Sequence, residues 1–315
     1  MVKIAFLISA HTDALHLKRL IESLPGSASF YIHIDRKANI DDFKKAVLTT
    51  GTTDSQEKSS RKICFIEERY DVMWGSFGQV RYQIALLKAA LAGEEKPDYF
   101  ISLSGLDYPL WSNQQIMDYI DKHKEDNLLQ AICMTNQKEA AQLYREYRFL
   151  NEYSWKYGSV GSKFRVAIRH IVKALGFRKP LLIKSPGHER ALYKGGSWWG
   201  LSRDLAEFVI HVWNNEPAFC RYFKTAFAPD ETFIHTIAFN SQHRNRCILS
   251  TGPFTCLEDL SPLTYIEYKN EIKVFTEKDF DTLIASGKMF CRKTISGKSD
   301  GLLDKIDIYR GTKNH

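Results

Sequence analysis

The chain has 315 residues, 44% hydrophobic and 26% charged, an ordinary globular composition with enough apolar residues for a large core in one domain or two. Its formal charge of +7 suits acidic partners, and the excess is local: between Lys138 and Lys194 there are 13 Lys and Arg against four Glu and no Asp. The six cysteines include no C-x-x-C pair, which argues against a zinc cluster and against a disulfide framework and points to a reducing compartment.

The longest N-terminal apolar run, Ile4 to Ala10, is too short for a transmembrane helix and short for a signal segment, and polar His11-Thr12-Asp13 follows at once. It reads as a buried strand, and the protein is expected in the cytoplasm. A helix follows, with Leu15, Leu17, Leu20, Ile21 and Leu24 on one side, then a second strand from Phe30 to Ile34 that ends at Asp35-Arg36-Lys37. Residues 51–61 read as an exposed loop, Ile63 to Ile66 as a short strand, and Gln79 to Leu91 as a helix entered through the turn Trp74-Gly75-Ser76. Tyr99 to Leu103 is a further buried strand, running into Ser104-Gly105-Leu106-Asp107-Tyr108-Pro109. Continuous apolar strands alternating with helices predict an α/β sheet with helices on its faces, in which ligands sit beyond the carboxyl ends of the strands. His11, Asp35-Arg36-Lys37 and Ser104 to Asp107 all fall at such ends and are placed to line one cleft.

Residues 131–194 turn basic and aromatic and read as a helical insertion between a nucleotide-binding half, 1–130, and an acceptor and catalytic half, 195–315, of a single domain. Gly195 to Ser202 reads as turn and strand, and Leu205 to Trp213 as a helix. Short strands are expected at Cys247 to Ser250, Tyr265 to Tyr268 and Ile272 to Phe275, then a helix from Glu277 to Ala285 and the segment Met289 to Lys293.

The chemistry gathers at Ala228-Pro229-Asp230-Glu231. Pro229 is tolerated at a helix edge, Asp230 is a good N-cap, and Ile234, Ile237 and Ala238 give the apolar stripe of the helix that follows. A carboxylate fixed at a helix start suits a general base. No Walker A sequence, G-x-G-x-x-G, G-x-S-x-G or H-E-x-x-H is present. The mid-chain strand ends in a single carboxylate, Asp107, where many nucleotide-sugar enzymes hold a metal with Asp-x-Asp. Asp279-Phe280-Asp281 lies late in an amphipathic helix and is not read as a metal site. If the ligand is a diphosphate, its charge must be met by side chains, with Arg292-Lys293 one source and Lys269 a second.

Taken together and in order, these segments resemble the core-2/I-branching β-1,6-N-acetylglucosaminyltransferases and the related peptide O-xylosyltransferases. KIAFLISAHTDALHLKRLIESL followed by FYIHIDRK looks like the opening strand–helix–strand of that family. Val72-Met73-Trp74-Gly75-Ser76 looks like its V-x-W-G turn, and DYFISLSGLDYP is similar to its most recognisable motif. Gly196 to Arg203 resembles G-S-x-W-F-x-L-S-R, Ala228 to Glu231 resembles S-P-D-E, and Phe290-Cys291-Arg292-Lys293 resembles F-A-R-K. Ala228 and Cys291 depart from the pattern by small changes only.

The resemblance implies a glycosyltransferase A-type, Rossmann-like nucleotide-sugar-binding fold and an inverting mechanism that needs no metal and no cofactor. It assigns Glu231 as general base, with Asp230 the runner-up. It implies uridine and ribose contacts from Ser9, Ala10, His11, Asp35 and Trp74, diphosphate contacts from Arg292 and Lys293, and a second basic contact near Lys269 and Asn270. Acceptor contacts carry over loosely to Lys138, Arg145 and Arg148, with Trp198 or Trp199 stacking on a sugar; adjacent strand residues face opposite ways, so one of the pair is expected in the cleft. Asp107 is expected to brace its turn and His235 to pack. The implied partners are a UDP-sugar donor, N-acetylglucosamine first and xylose second, and a glycan or glycolipid acceptor. No nucleic acid is expected; the basic segment leaves room for peripheral contact with an anionic membrane. The family's animal members are anchored Golgi proteins, whereas this chain looks like a bacterial-type member. A retired transferase kept as a UDP- or carbohydrate-binding module is the competing expectation, and a protein reading nucleic-acid backbone charge through 138–194 is a third.

Overall fold

The computed structural model describes residues 1–48, 61–137, 139–156, 158–252, 256, 258–268 and 270–311. The first half of the chain alternates strand and helix: β1 Ile4–Ala10, α1 Ala14–Ser23, β2 Ser29–Ile34, α2 Ile40–Leu48, β3 Lys62–Phe65, α3 Gly78–Ala92, β4 Tyr99–Ser104, β5 Asp107–Pro109 and α4 Asn113–Lys122. The middle carries β6 Gln130–Cys133, α5 Ala141–Tyr144, α6 Val160–Ala174, β7 Leu182–Ser185, β8 His188–Ala191, β9 Tyr193–Gly195 and β10 Gly200–Ser202. The chain continues through α7 Arg203–Asn215, α8 Pro217–Phe223, α9 Phe233–Phe239, β11 Ile248–Ser250, β12 Thr264–Ile266, α10 Phe280–Ala285, β13 Phe290–Arg292 and α11 Asp300–Tyr309.

The main sheet has the order β10-β4-β1-β2-β3, parallel except for β10. Its central strands are almost wholly buried, as their unbroken apolar runs require. Register places Ser9 beside both His33 and Ser104, so the carboxyl ends of β1, β2 and β4 open together. One face packs on α3, α7 and α9 through Leu86, Trp199, Val209 and Phe233. The other packs on α1 and α4 through Leu17, Leu20 and Ile116. Asp13 and Ser112 start these two helices by accepting from the backbone N–H of His16 and Gln115, the second within a capping box.

Two smaller sheets set the edges of the cleft. β11-β6-β9 lays Lys194 opposite Ile132, and β12-β13-β5 lays Arg292 opposite Asp107. The segment 131–194 carries one long helix, α6, but also β6 and β9 at its ends and the hairpin β7–β8, so its flanks are tied into sheets. Three expectations change. The segment Ile272 to Phe275 forms no strand beyond an isolated bridge from Ile272 to Tyr268. Asp107 to Pro109 is itself a strand, because Phe290 to Arg292 offers it an edge 185 positions further along the chain. And α2, α4, α8 and α11 form where no helix was expected, although α4 and α11 bury apolar residues at helical spacing, Ile116 with Ile120 and Leu302 and Leu303 with Ile306. Of the loop expected over 51–61 only Arg61 is among the described residues, and Lys138 and Lys269 lie outside them.

Candidate active site

Pro229–Glu231 forms a single 3-10 turn, and the helix α9 begins only at Phe233. Asp230 is therefore not the N-cap of that helix, as its position in the sequence suggested. Its carboxylate turns inward, where Oδ2 accepts from Ser197 Oγ at 2.6 Å and from Gln79 Nε2 at 3.0 Å, and it is almost completely buried. Oδ1 has no hydrogen-bond partner among the described residues. Burial, then the neighbouring Glu231 charge, push the Asp230 carboxyl up to about 7, against the Ser197 hydrogen bond.

That shift has a consequence for stability. The folded protein holds the Asp230 proton up to about pH 7, whereas an exposed carboxyl releases it near 3.8, so folding loses stability as pH rises through that window. Asp230→Asn keeps an acceptor for Ser197 and Gln79 and removes the buried charge. Denaturant titrations are expected to show the variant gaining on the wild type as pH rises from about 4 to about 7. A constant difference across that range would show that Asp230 is not the group responsible.

Glu231, by contrast, keeps 19% of its side chain exposed. Its Oε2 lies 3.0 Å from Lys194 Nζ, and the Tyr144 phenol hydrogen-bonds to the same carboxylate. A carboxylate offers about four lone-pair positions, so these two partners hold Glu231 and leave acceptor capacity unused. Lys194 is nearly buried and also donates to the Gly195 carbonyl. Gly195 is required there: a Cβ would fall 2.3 Å from His235 Nε2 and 2.2 Å from the Gln130 carbonyl. His235 is held neutral, pushed down to about 3 by burial and then by Lys194, so it packs beside the ammonium without repelling it.

The sheet-edge residues form the other wall. Ser9 Oγ lies 3.4 Å from His33 Nδ1, while His33 Nε2 accepts from the Tyr70 N–H, so Nδ1 carries the ring proton. Tyr82, from α3, hydrogen-bonds Ser9 and lies within electrostatic reach of Asp230, Arg292 and Asp107. Ala10 is buried, and its Cβ would meet a side chain at Gly105 at 2.6 Å, which keeps the β1 and β4 ends close. His11 is exposed at the surface, yet the protein beneath it partly desolvates its ring and lowers its pKa, with Asp35 opposing and Arg292 and Lys37 assisting. Asp35 is buried and already satisfied: Oδ1 accepts from the Lys37 N–H at 2.9 Å, and Oδ2 from Lys37 Nζ at 3.0 Å and the Val72 N–H at 3.2 Å.

Asp107 is fully buried and braces its turn through the Ser104 N–H at 2.7 Å. Arg292 Nη1 meets it at 3.1 Å and the Trp198 indole also donates to it, while the guanidinium lies 5.2 Å from the Trp198 ring centre. Arg292, expected to meet a diphosphate, thus also braces Asp107 through Nη1. Lys293 has no side-chain partner among the described residues and remains available for an anion. Trp199 is buried in the core and cannot reach a sugar, so Trp198 is the member of the pair on the cleft side.

Trp74 is 77% exposed and stands edge-on to Phe227, which in turn meets Tyr144 edge-on and carries Arg148 at 4.8 Å from its ring centre. An aromatic ledge thus runs from the V-x-W-G turn to the Glu231 carboxylate. Arg145 lies within electrostatic reach of Tyr222, and its carbonyl accepts from the Lys179 N–H. Among the described residues no group of three or more His, Cys, Asp or Glu is placed to hold a metal ion.

Tyr82, Tyr144, Lys194, Gln79 and Ser197 were not singled out from the sequence. Lys194 carried a signal, a lone cation in the otherwise apolar and glycine run Leu192-Tyr193-Lys194-Gly195-Gly196. Gln79 and Tyr82 are three apart on one helix and so share a face. Tyr144 carried none.

The model of the Core-2/I-Branching enzyme family matches residues 4–283. The chain is 26% identical over 250 residues to "Xylosyltransferase 2" of Rattus norvegicus, covering 76% of this chain and 25% of that one. It is 24% identical over 238 residues to "N-acetyllactosaminide beta-1,6-N-acetylglucosaminyl-transferase" of Homo sapiens, covering 74% and 52%. It thus spans about a quarter of the one relative and about half of the other.

Proposed function

This chain belongs to the Core-2/I-Branching enzyme family, and we propose that it is an inverting, metal-independent glycosyltransferase. Its mixed, mainly parallel sheet agrees with the glycosyltransferase A-like fold of that family. The donor in this reading is a UDP-sugar, N-acetylglucosamine first and xylose second, and the acceptor a glycan hydroxyl. The observation that carries it is Glu231, partly exposed and aimed by Lys194 and Tyr144 beside the opening of the parallel strands. An acceptor hydroxyl gives its proton to the free capacity of the Glu231 carboxylate as its oxygen bonds to the anomeric carbon. The bond from that carbon to the diphosphate oxygen breaks on the opposite side, and UDP leaves with the electron pair. Lys293 supplies positive charge for the leaving diphosphate, and Ser9, Asp35 and Tyr82 flank the nucleoside. All six cysteines are free thiols, which supports a reducing, cytoplasmic setting.

Lys293→Ala is expected to weaken UDP binding by about 1–3 kcal/mol, the scale of one lost charge-assisted contact. Unchanged affinity in calorimetry would remove Lys293 from the donor site. The activity itself is tested by UDP release from a panel of UDP-sugars. Turnover of one donor is expected to survive excess EDTA; strict dependence on Mn²⁺ or Mg²⁺ would overturn the metal-independent mechanism. UDP binding without turnover of any donor, with or without acceptor glycans, would favour a binding module on this fold.

A further inference from the structure

Helix α6 is built inside out. Ser162 is its one buried residue, and Arg165 and Arg169 turn toward the body, where the Nε of each is buried without a partner among the described residues. They gather with Arg148 around Glu146, which also pairs with Lys173 at 3.0 Å. The opposite face is apolar and open: Val160 is 85% exposed, Phe164 58%, Ile171 58% and Leu175 68%, with Phe177 just beyond at 59%. These residues recur at helical spacing, so they form one stripe. A helix on a water-facing surface turns such a stripe inward; this one presents it outward.

We propose that α6 lies in the surface of an anionic phospholipid bilayer, with this stripe among the acyl chains and the flanking cations at the headgroups. Charge selects that occupant. From 153 to 188 the chain holds eight Lys and Arg and no Asp or Glu, and Lys156, Lys163, Lys173 and Lys184 are exposed. Two copies meeting through this face would bring those cations together, whereas anionic headgroups neutralise them. The helix cannot cross instead: its 15 residues span about 22 Å, short of a hydrocarbon core of about 30 Å. Among the described residues no helix is long and apolar enough to do so.

The test is sedimentation of the whole protein with vesicles of phosphatidylcholine alone and of phosphatidylcholine containing phosphatidylglycerol, at low and high salt. It contains no sugar donor, so its result is independent of the transferase reading. The protein is expected to pellet with the anionic vesicles, less at high salt, and Phe164→Ser with Ile171→Ser is expected to cut the bound fraction about ten-fold or more. Both side chains are exposed, so thermal unfolding and UDP affinity of the variant should match the wild type. Failure to pellet, equal pelleting with neutral vesicles, or undiminished pelleting of the variant would each overturn the proposal. So would a wild-type dimer in ultracentrifugation that the variant dissolves, because the face would then belong to a second copy.

Discussion

Glu231→Gln is expected to lower transfer by about a hundred-fold or more, with UDP affinity unchanged within a factor of about two. The amide keeps the size of the carboxylate and an oxygen for Lys194 and Tyr144, so the ledge from Trp74 to Tyr144 has no reason to move. What it loses is the capacity to take the acceptor proton. The measurement is product formation beside UDP calorimetry on the same preparation. Transfer above a few per cent of wild type, about the floor left by positioning alone, would assign the base elsewhere, with Asp230 the next candidate. Asp230 is a weaker one on geometry, because it is almost completely buried and Ser197 and Gln79 both hold its Oδ2.

The second large effect is expected at Lys194. Lys194→Met keeps the length of the side chain and removes the cation that aims Glu231 and lies near Asp230. Two adjacent carboxylates are then left without a nearby positive charge. The rate is expected to fall about ten- to a hundred-fold, the scale of a misdirected catalytic group. The acid limb of the pH–rate profile should also move to higher pH, and that limb reports the carboxylate pair as a unit. A simple loss of packing would lower the rate without moving the limb, so an unmoved profile would reduce Lys194 to a structural role.

How much of this was legible beforehand differs by element. β1, β2 and β4 announce themselves because burial on both faces demands unbroken apolar runs, and parallel pairing then puts His11, Asp35 and Asp107 at one edge. The turn at Pro229 was also visible, but the direction of Asp230 was not. Capping preference is a local property, and the pull of Ser197 and Gln79 comes from residues 33 and 151 positions away. β5 escaped for the same reason, since its only strand partner among the described residues is β13, from the far end of the chain. Arg292 looked free because nothing near it in the chain is acidic; its partner Asp107 arrives from the far half of the molecule. The basic segment was read as helical, and α6 is; that its arginines would face inward depends on Glu146, which no periodicity reveals.

The strand β13 has a consequence for how the molecule is made. It lends β5 an edge and brings Arg292 to Asp107, and α11 then fastens the last segment to α1 through Arg19 with Asp304 and Asp307. A nascent chain that has already emerged with all of the parallel sheet and with Glu231 still lacks the guanidinium that pairs with Asp107 in the folded protein. Translation of the stretch from Phe290 onward is thus the final assembly step of the cleft. A polypeptide stalled before it would carry the proposed base but lack both the Arg292–Asp107 pair and the Lys293 cation.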